Sequence, residues 1–382
     1  MTTRVTILGA GFGGLELATR LSDALGADVD ITLIDQSDSF VFGFSKLDVM
    51  FGSKRPDEVR LYYREIVKPG VRFRRERVES IDPGERRVVT DQGTYDADVL
   101  VVALGADLDP EATPGLTEGG YEFYSVDGAE KLRDVLPNFD SGVAIVGVLG
   151  PFFKCPPAPF EAAMMLHESL HERGIADAVS IRVLSPMSSP IPISVEASEG
   201  ILRGLAERGI EFWPESKVTA LDGESRTATL ADGRTIDYDL FLGVPVHRAP
   251  AVVEASGLTV DGWIPVDTAS FATSFPNVYA IGDVTSAPVP RAGVFAEGEA
   301  ATLADYLISK LRGGGPPEPY GGVATCYVEF GGGKVAKVNV DFMSGTAPTG
   351  RFQDPSQGFA AEKEEFGSRR EKRWFGADPR SN

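Results

Sequence analysis

The sequence predicts an α/β protein of two Rossmann-like, three-layer domains with a small C-terminal cap. Three observations carry this. The chain opens on a strand, a glycine loop and a helix in direct succession; a second strand and glycine unit follows from Val143; and the two halves share a repeated pattern at an offset of about 140 residues.

The opening strand, Val5 to Leu8, enters Gly9-Ala-Gly11-Phe12-Gly13-Gly14 and then the helical pattern Leu15-Glu-Leu-Ala-Thr-Arg-Leu21. Glycines at this spacing allow a tight turn, close backbone approach to a pyrophosphate and tight helix packing, while the helix N-terminus faces the anion. The next strand, Asp30 to Ile34, ends in Asp35, about 20 residues beyond Gly14, where a carboxylate accepts hydrogen bonds from a ribose diol. Strand, loop, helix, strand and acid in this order predict a dinucleotide site.

The repeat is read residue by residue. Gly70-Val-Arg-Phe73, Val78, Ile81-Asp82, Asp91-Gln-Gly93 and Asp98 answer to Gly209-Ile-Glu-Phe212, Val218, Leu221-Asp222, Asp232-Gly233 and Asp239. Each copy reads as short strands joined by Asp-Gly or Asp-Pro-Gly turns and closes on an apolar strand, Val99 to Ala103 or Leu240 to Leu242.

Such a layout resembles the two-dinucleotide-domain flavoprotein disulfide reductase superfamily over roughly residues 1–305. Ala103-Leu104-Gly105 and Asn277-Val-Tyr-Ala-Ile-Gly282-Asp283 fit two further motifs of that superfamily. The resemblance implies noncovalent FAD, with Asp283 at its ribityl and pyrophosphate part. It also implies that the helix beginning near Gly293 aims its N-terminus at the flavin pyrimidine ring; an ordinary packing helix is the alternative. The cofactor-binding residues expected on this basis are Gly9, Gly11, Phe12, Gly13, Gly14, Asp35, Val78, Leu104, Gly105, Gly282, Asp283, Gly293 and Val294. The expected division is an FAD domain at 1–107 and 245–306, a degenerate NAD-type domain at 108–244, and a cap at 307–382.

The second loop departs from nicotinamide binding. Gly147-Val-Leu-Gly150 is followed by Pro151, Phe152 and Phe153 instead of a third glycine, prolines postpone the helix to about residue 159, and the strand Val179 to Leu184 ends in Ser185 rather than an acid. The run Lys154-Cys155-Pro-Pro-Ala-Pro-Phe-Glu161 is similar to the signature of the sulfide:quinone oxidoreductases and of the flavocytochrome c sulfide dehydrogenase flavoprotein. That resemblance implies a redox pair of Cys155 with Cys326, in Thr325-Cys-Tyr-Val-Glu-Phe330, beside the flavin. It implies oxidation of sulfide or a related small thiol or persulfide, with a quinone as acceptor. Two buried reduced thiols are the alternative for the cysteines. Glu161 reads either as a proton relay near the sulfur site or as a first-turn helix acid. Tyr124-Ser-Val-Asp127 lacks the third active cysteine of most quinone-reducing members, and Phe40-Val-Phe-Gly-Phe44 lacks a cysteine for covalent flavin. A type II NADH:quinone dehydrogenase and a flavin-holding redox sensor are the competing readings.

The net charge of −19 argues against nucleic acid as a partner, and 42% hydrophobic residues allow a sizeable core. With no apolar run long enough to span a bilayer and no secretory leader ahead of Val5, the expected location is cytoplasmic, on the inner face of the membrane at most. His167-Glu-Ser-Leu-His171 spells a zinc-protease motif, but no metal is expected, because the third histidine, His247, lies in a different element. The segment Phe359 to Phe375 reads as a helix with a thin aromatic stripe and a basic cluster, able to meet a membrane surface or to pack on the body. Tyr327, Phe330 and Phe342 are candidates for a quinone pocket or for cap core.

Overall fold

The computed structural model describes residues 2–315 and 317–376. Two five-stranded parallel sheets form its centre. The first has the order Val278–Ala280, Val99–Val102, Thr3–Leu8, Val29–Asp35, Val71–Arg75. The second runs Tyr121–Glu122, Leu240–Val244, Gly142–Val148, Val179–Leu184, Glu211–Trp213. In each sheet the strand preceding the glycine loop is central and buried, which is why both read as near-continuous apolar runs.

The repeat extends to local irregularity. In each unit a three-stranded antiparallel sheet, 78–96 or 218–237, is inserted in the chain just before the strand Val99–Val102 or Leu240–Val244, and both slip register at the same place, between Val78 and Ser80 and between Val218 and Ala220. The edge strand Val278–Ala280 of the first sheet comes from beyond the second unit, so the first unit is discontinuous in sequence.

The expected helix near Gly293 runs Gly293–Arg312 and packs along the Phe12–Leu25 helix. The cap is an antiparallel sheet of Val323–Glu329, Val335–Asp341 and Thr349–Ser356, followed by the helix Gln357–Phe375. Ser356 caps that helix, its Oγ accepting the Phe359 N–H at 3.2 Å.

The last helix settles against the body. Trp374 and Phe375 are fully buried, and the Trp374 ring meets Phe12, Phe40 and Phe42. Three members of the basic cluster are engaged in ion pairs: Arg369 with Glu365 on the same helix, Arg370 with Glu297, and Arg373 with Glu297 and Glu16. Packing on the protein therefore accounts for most of the stripe. Among the described residues no helix is long and apolar enough to cross a membrane.

Candidate active site

A cleft of ≈ 240 Å³ lies between the first glycine loop, the helix Ser45–Met50, the segment after Val102 and the start of the Gly293–Arg312 helix. Gly11, Phe12, Gly13 and Gly105 line it, together with Gly282, Asp283 and Gly293. Gly9 and Gly14 lie beneath the loop. A Cβ on Gly9, whose φ is +100°, would sit 2.3 Å from the Ala103 carbonyl oxygen, and one on Gly14 would sit 1.9 Å from the Gly9 oxygen. These two glycines shape the turn rather than its surface.

Asp35, Val78, Leu104 and Val294 do not line this cleft themselves. Asp35 braces the loop, its Oδ2 accepting the Ala10 N–H and its Oδ1 the Ser37 N–H, both at 2.8 Å. Val78 and Leu104 pack on an apolar cluster of the first unit, and Val294 on the main core.

The residues present fit FAD. Gly11 has no heavy atom within 4 Å of where a Cβ would stand, leaving room for a close ligand. The Phe12–Leu25 and Gly293–Arg312 helices both begin without a side-chain cap and without an acid in their first turn, so their free N–H groups are available to negative charge. The Asp283 carboxyl lines the cleft, with burial holding its pKa above the ordinary range.

Cys155 forms part of the cleft wall and also lines a second, apolar cavity of ≈ 50 Å³. Cys326 stands on the wall of that same small cavity, among Ile191, Ile193, Val338 and Phe342. The fold thus brings to one space two cysteines about 170 residues apart in sequence. Cys155 takes the left-handed backbone conformation, φ 54°, which costs about 1 kcal/mol in a residue with a Cβ. Its N–H donates to the Arg291 carbonyl at 2.8 Å, and its own carbonyl accepts the Ala158 N–H at 2.9 Å.

Both thiols are pushed up, Cys326 to about 12 and Cys155 well above its usual value. Burial is the main cause for each, followed by the Glu161 charge; for Cys155 the charge of Cys326 adds to it. Surface area alone makes Cys155 exposed, because its side chain opens into the cleft.

Glu161 lies in the first turn of the helix Ala158–Glu172, yet it is only 3% exposed. Its Oε1 accepts the Glu329 N–H at 2.9 Å, which ties the helix to the Cys326 strand. Burial raises its pKa to about 7, against the opposing pull of Lys363 and that hydrogen bond. Glu161 is therefore a first-turn acid held out of solvent.

Several residues of the site carry no sequence signal. Lys363 reaches in from the last helix to pair with Glu329. Glu299 accepts the Gly282 N–H at 2.5 Å and is raised by burial to about 8. Tyr124 lines the cleft with its buried hydroxyl unpartnered. Lys46 and Lys154 line it as well. Of the aromatics after Cys326, Phe342 lines the sulfur cavity, Tyr327 meets Phe366, and Phe330 is core, packed on Phe352. In the second glycine loop Phe152 is exposed, its ring 5.3 Å from Arg291, whose guanidinium stacks on Trp263 at 3.6 Å. His167 and His171 stack on each other, while His247 lies on the separate strand Val246–Arg248. Among the described residues no group of three or more His, Cys, Asp and Glu could hold a metal.

Paired Rossmann-like sheets, each with a glycine loop, and uncapped helix ends facing a cleft with a cysteine in its wall define a two-domain flavoprotein oxidoreductase. Residues 3–302 match the family described as pyridine nucleotide-disulphide oxidoreductase, and the chain belongs to that family. It is an FAD-dependent oxidoreductase. It is similar to the mitochondrial sulfide:quinone oxidoreductase of Dictyostelium discoideum, 26% identical over 340 residues covering 85% of this chain and 74% of that one. It is also similar, at 26% identity over a shorter stretch of 316 residues and 74% of each chain, to the type II NADH:quinone oxidoreductase of Staphylococcus haemolyticus. The solved sulfide:quinone oxidoreductase of Aquifex aeolicus shares the fold, with a TM-score of 0.85 at 21% identity over 100% of this chain and 93% of that one.

Proposed function

We propose that the protein oxidises sulfide, or a related small thiol or persulfide, at Cys155 and Cys326, and passes the electrons through FAD to a quinone. The observation that carries this reading is that one apolar cavity holds both cysteines while Cys155 also belongs to the flavin cleft. Percent identity to the two relatives is the same, so identity alone does not choose between sulfide and NADH. The second loop does: it offers Pro151 and the exposed Phe152 ring where a pyrophosphate needs small residues and free N–H groups.

In this reading hydrosulfide attacks one sulfur of an oxidised Cys155–Cys326 pair. The S–S bond breaks, Cys326 carries the persulfide and Cys155 leaves as the thiolate facing the cleft. Glu161 takes up the proton released from the incoming sulfide, within the same buried patch. When bound, FAD supplies the two-electron acceptor for that sulfur chemistry and the donor for the quinone. Phe44, Leu47 and Phe123 give the cleft an apolar wall suited to a quinone ring. The remaining cofactor contacts proposed are Asp283 at the ribityl chain and Asp35 at a ribose.

Anaerobic sulfide is expected to bleach the flavin band near ~450 nm within one turnover, and NADH is expected to leave it unchanged. Rapid bleaching by NADH with none by sulfide would select the dehydrogenase; no bleaching by either would select the sensor.

The pH dependence follows from Glu161. Its folded pKa of about 7 is raised above the unfolded value, so the protonated carboxyl supports folding at low pH and that support fades as pH rises through 7. The proton-accepting form appears over the same interval. Flavin reduction by sulfide should therefore rise through about pH 7, and Glu161→Gln should lose that limb. Because the donor's own ionisation adds a limb, the stopped-flow comparison is the difference between the two profiles. Parallel profiles would remove Glu161 from the proton path.

A further inference from the structure

The protein carries a net charge of −19, yet its flavin cleft is built around cations. Lys46, from the Ser45–Met50 helix, donates to the Tyr124 carbonyl at 2.6 Å, and Lys154, from the second glycine loop, donates to the Ala106 carbonyl at 3.0 Å. Among the described residues neither ammonium forms an ion pair with a carboxylate. Each has three N–H donors and spends one on a carbonyl, so donors are left over in the cleft wall. The uncapped start of the Gly293–Arg312 helix adds positive potential to the same space.

The nearby acids do little to cancel this. Burial raises Glu161 to about 7 and Glu299 to about 8, and lifts Asp283 as well, which weakens their negative charge near neutrality. Lys46 is lowered to about 8 by burial and then by the charge of Lys154, against the opposing pull of Glu122. Burial lowers Lys154 as well, and Asp283, Asp107 and Glu122 pull the other way from beyond ion-pair distance. An oxidised isoalloxazine is neutral, and its two-electron reduced form is an anion at neutral pH.

We propose that Lys46 and Lys154 form a cation pair that binds the reduced flavin more tightly than the oxidised flavin and so raises its reduction potential. The two lysines come from different units, so the pair also makes the potential depend on how the second loop sits over the first domain. The assignment holds whichever donor reduces the flavin, so failure of the sulfide reading leaves it standing. A pyrophosphate anchor is the competing role for the pair, and it differs in one respect: the pyrophosphate has the same charge in both redox states.

The experiment equilibrates the purified holoprotein with a reference dye and reads the ratio of reduced to oxidised flavin, alongside the FAD dissociation constant. Lys46→Met and Lys154→Met should each lower that ratio by about tenfold at fixed dye potential, equivalent to about 30 mV for a two-electron couple. Lys46→Arg and Lys154→Arg, which keep the charge, should hold the wild-type ratio. If a methionine variant sheds its flavin, the glutamine variant is read in its place. Weaker FAD binding with an unmoved ratio would assign the pair to the pyrophosphate and overturn the proposal, as would an equal fall in the arginine variants.

Discussion

Cys155→Ser is expected to slow sulfide-driven flavin bleaching by about a thousandfold or more while FAD stays bound, the scale of loss seen when a covalent reaction centre is removed. Cys155 is the one sulfur that belongs to both spaces, the cleft and the small apolar cavity. Serine keeps its size and its left-handed backbone demand, so the cleft and its glycine loop are preserved. The raised pKa of both thiols decides which partner attacks. Neither cysteine offers a ready thiolate, and the thiolate is the reactive form, so the nucleophile in the first step is the donor and the electrophile is the oxidised pair. Cys326→Ser should then lose the same step, and the double variant should be no slower than either single one, because the two act as a unit. Stopped-flow absorbance under anaerobic conditions measures all three. An unaltered rate in Cys155→Ser would end the sulfur relay, and additive losses would mean that the cysteines act separately.

Much of the architecture was legible because glycine loops and repeats are local signals. The strand, loop and helix around Gly9 to Leu21 state their geometry in a dozen residues, and the repeat around Gly70 and Gly209 showed the second unit without any loop motif. The cysteine pair was legible only through resemblance: nothing in the spacing of Cys155 and Cys326 places them on one cavity, which is closed by Ile191, Ile193 and Phe342 from other elements. Glu161 was left open because burial depends on what covers a helix turn, here the Cys326 strand. Val78, Leu104 and Val294 lie beside motif residues in sequence but face apolar core, since neighbouring side chains on a strand or helix point in different directions. Lys363 and Lys46 had no signal at all, because a lysine becomes part of a site only when distant chain folds over it.

Trp374→Ala is expected to destabilise the protein by about 3–5 kcal/mol, the range for truncating a buried aromatic. The ring is fully buried and meets Phe12, Phe40 and Phe42, and its Nε1 donates to Glu16 Oε2 at 2.8 Å. Glu16 is itself buried, so losing that donor leaves a carboxylate that depends on Arg20 and Arg373. The effect should reach the cofactor, because Phe12 belongs to the glycine loop and lines the flavin cleft. FAD affinity should fall, and excess FAD should restore part of the lost melting temperature by mass action. Phe359→Ala, at the other end of the same helix, is the comparison: its ring is half-buried and lies 5.6 Å from the Lys337 ammonium, so the expected change is smaller, about 1 kcal/mol. Thermal unfolding with and without added FAD separates the two. A neutral Trp374→Ala would mean that the last helix is not docked on the glycine loop in solution, and its aromatic stripe would again be free to meet a membrane.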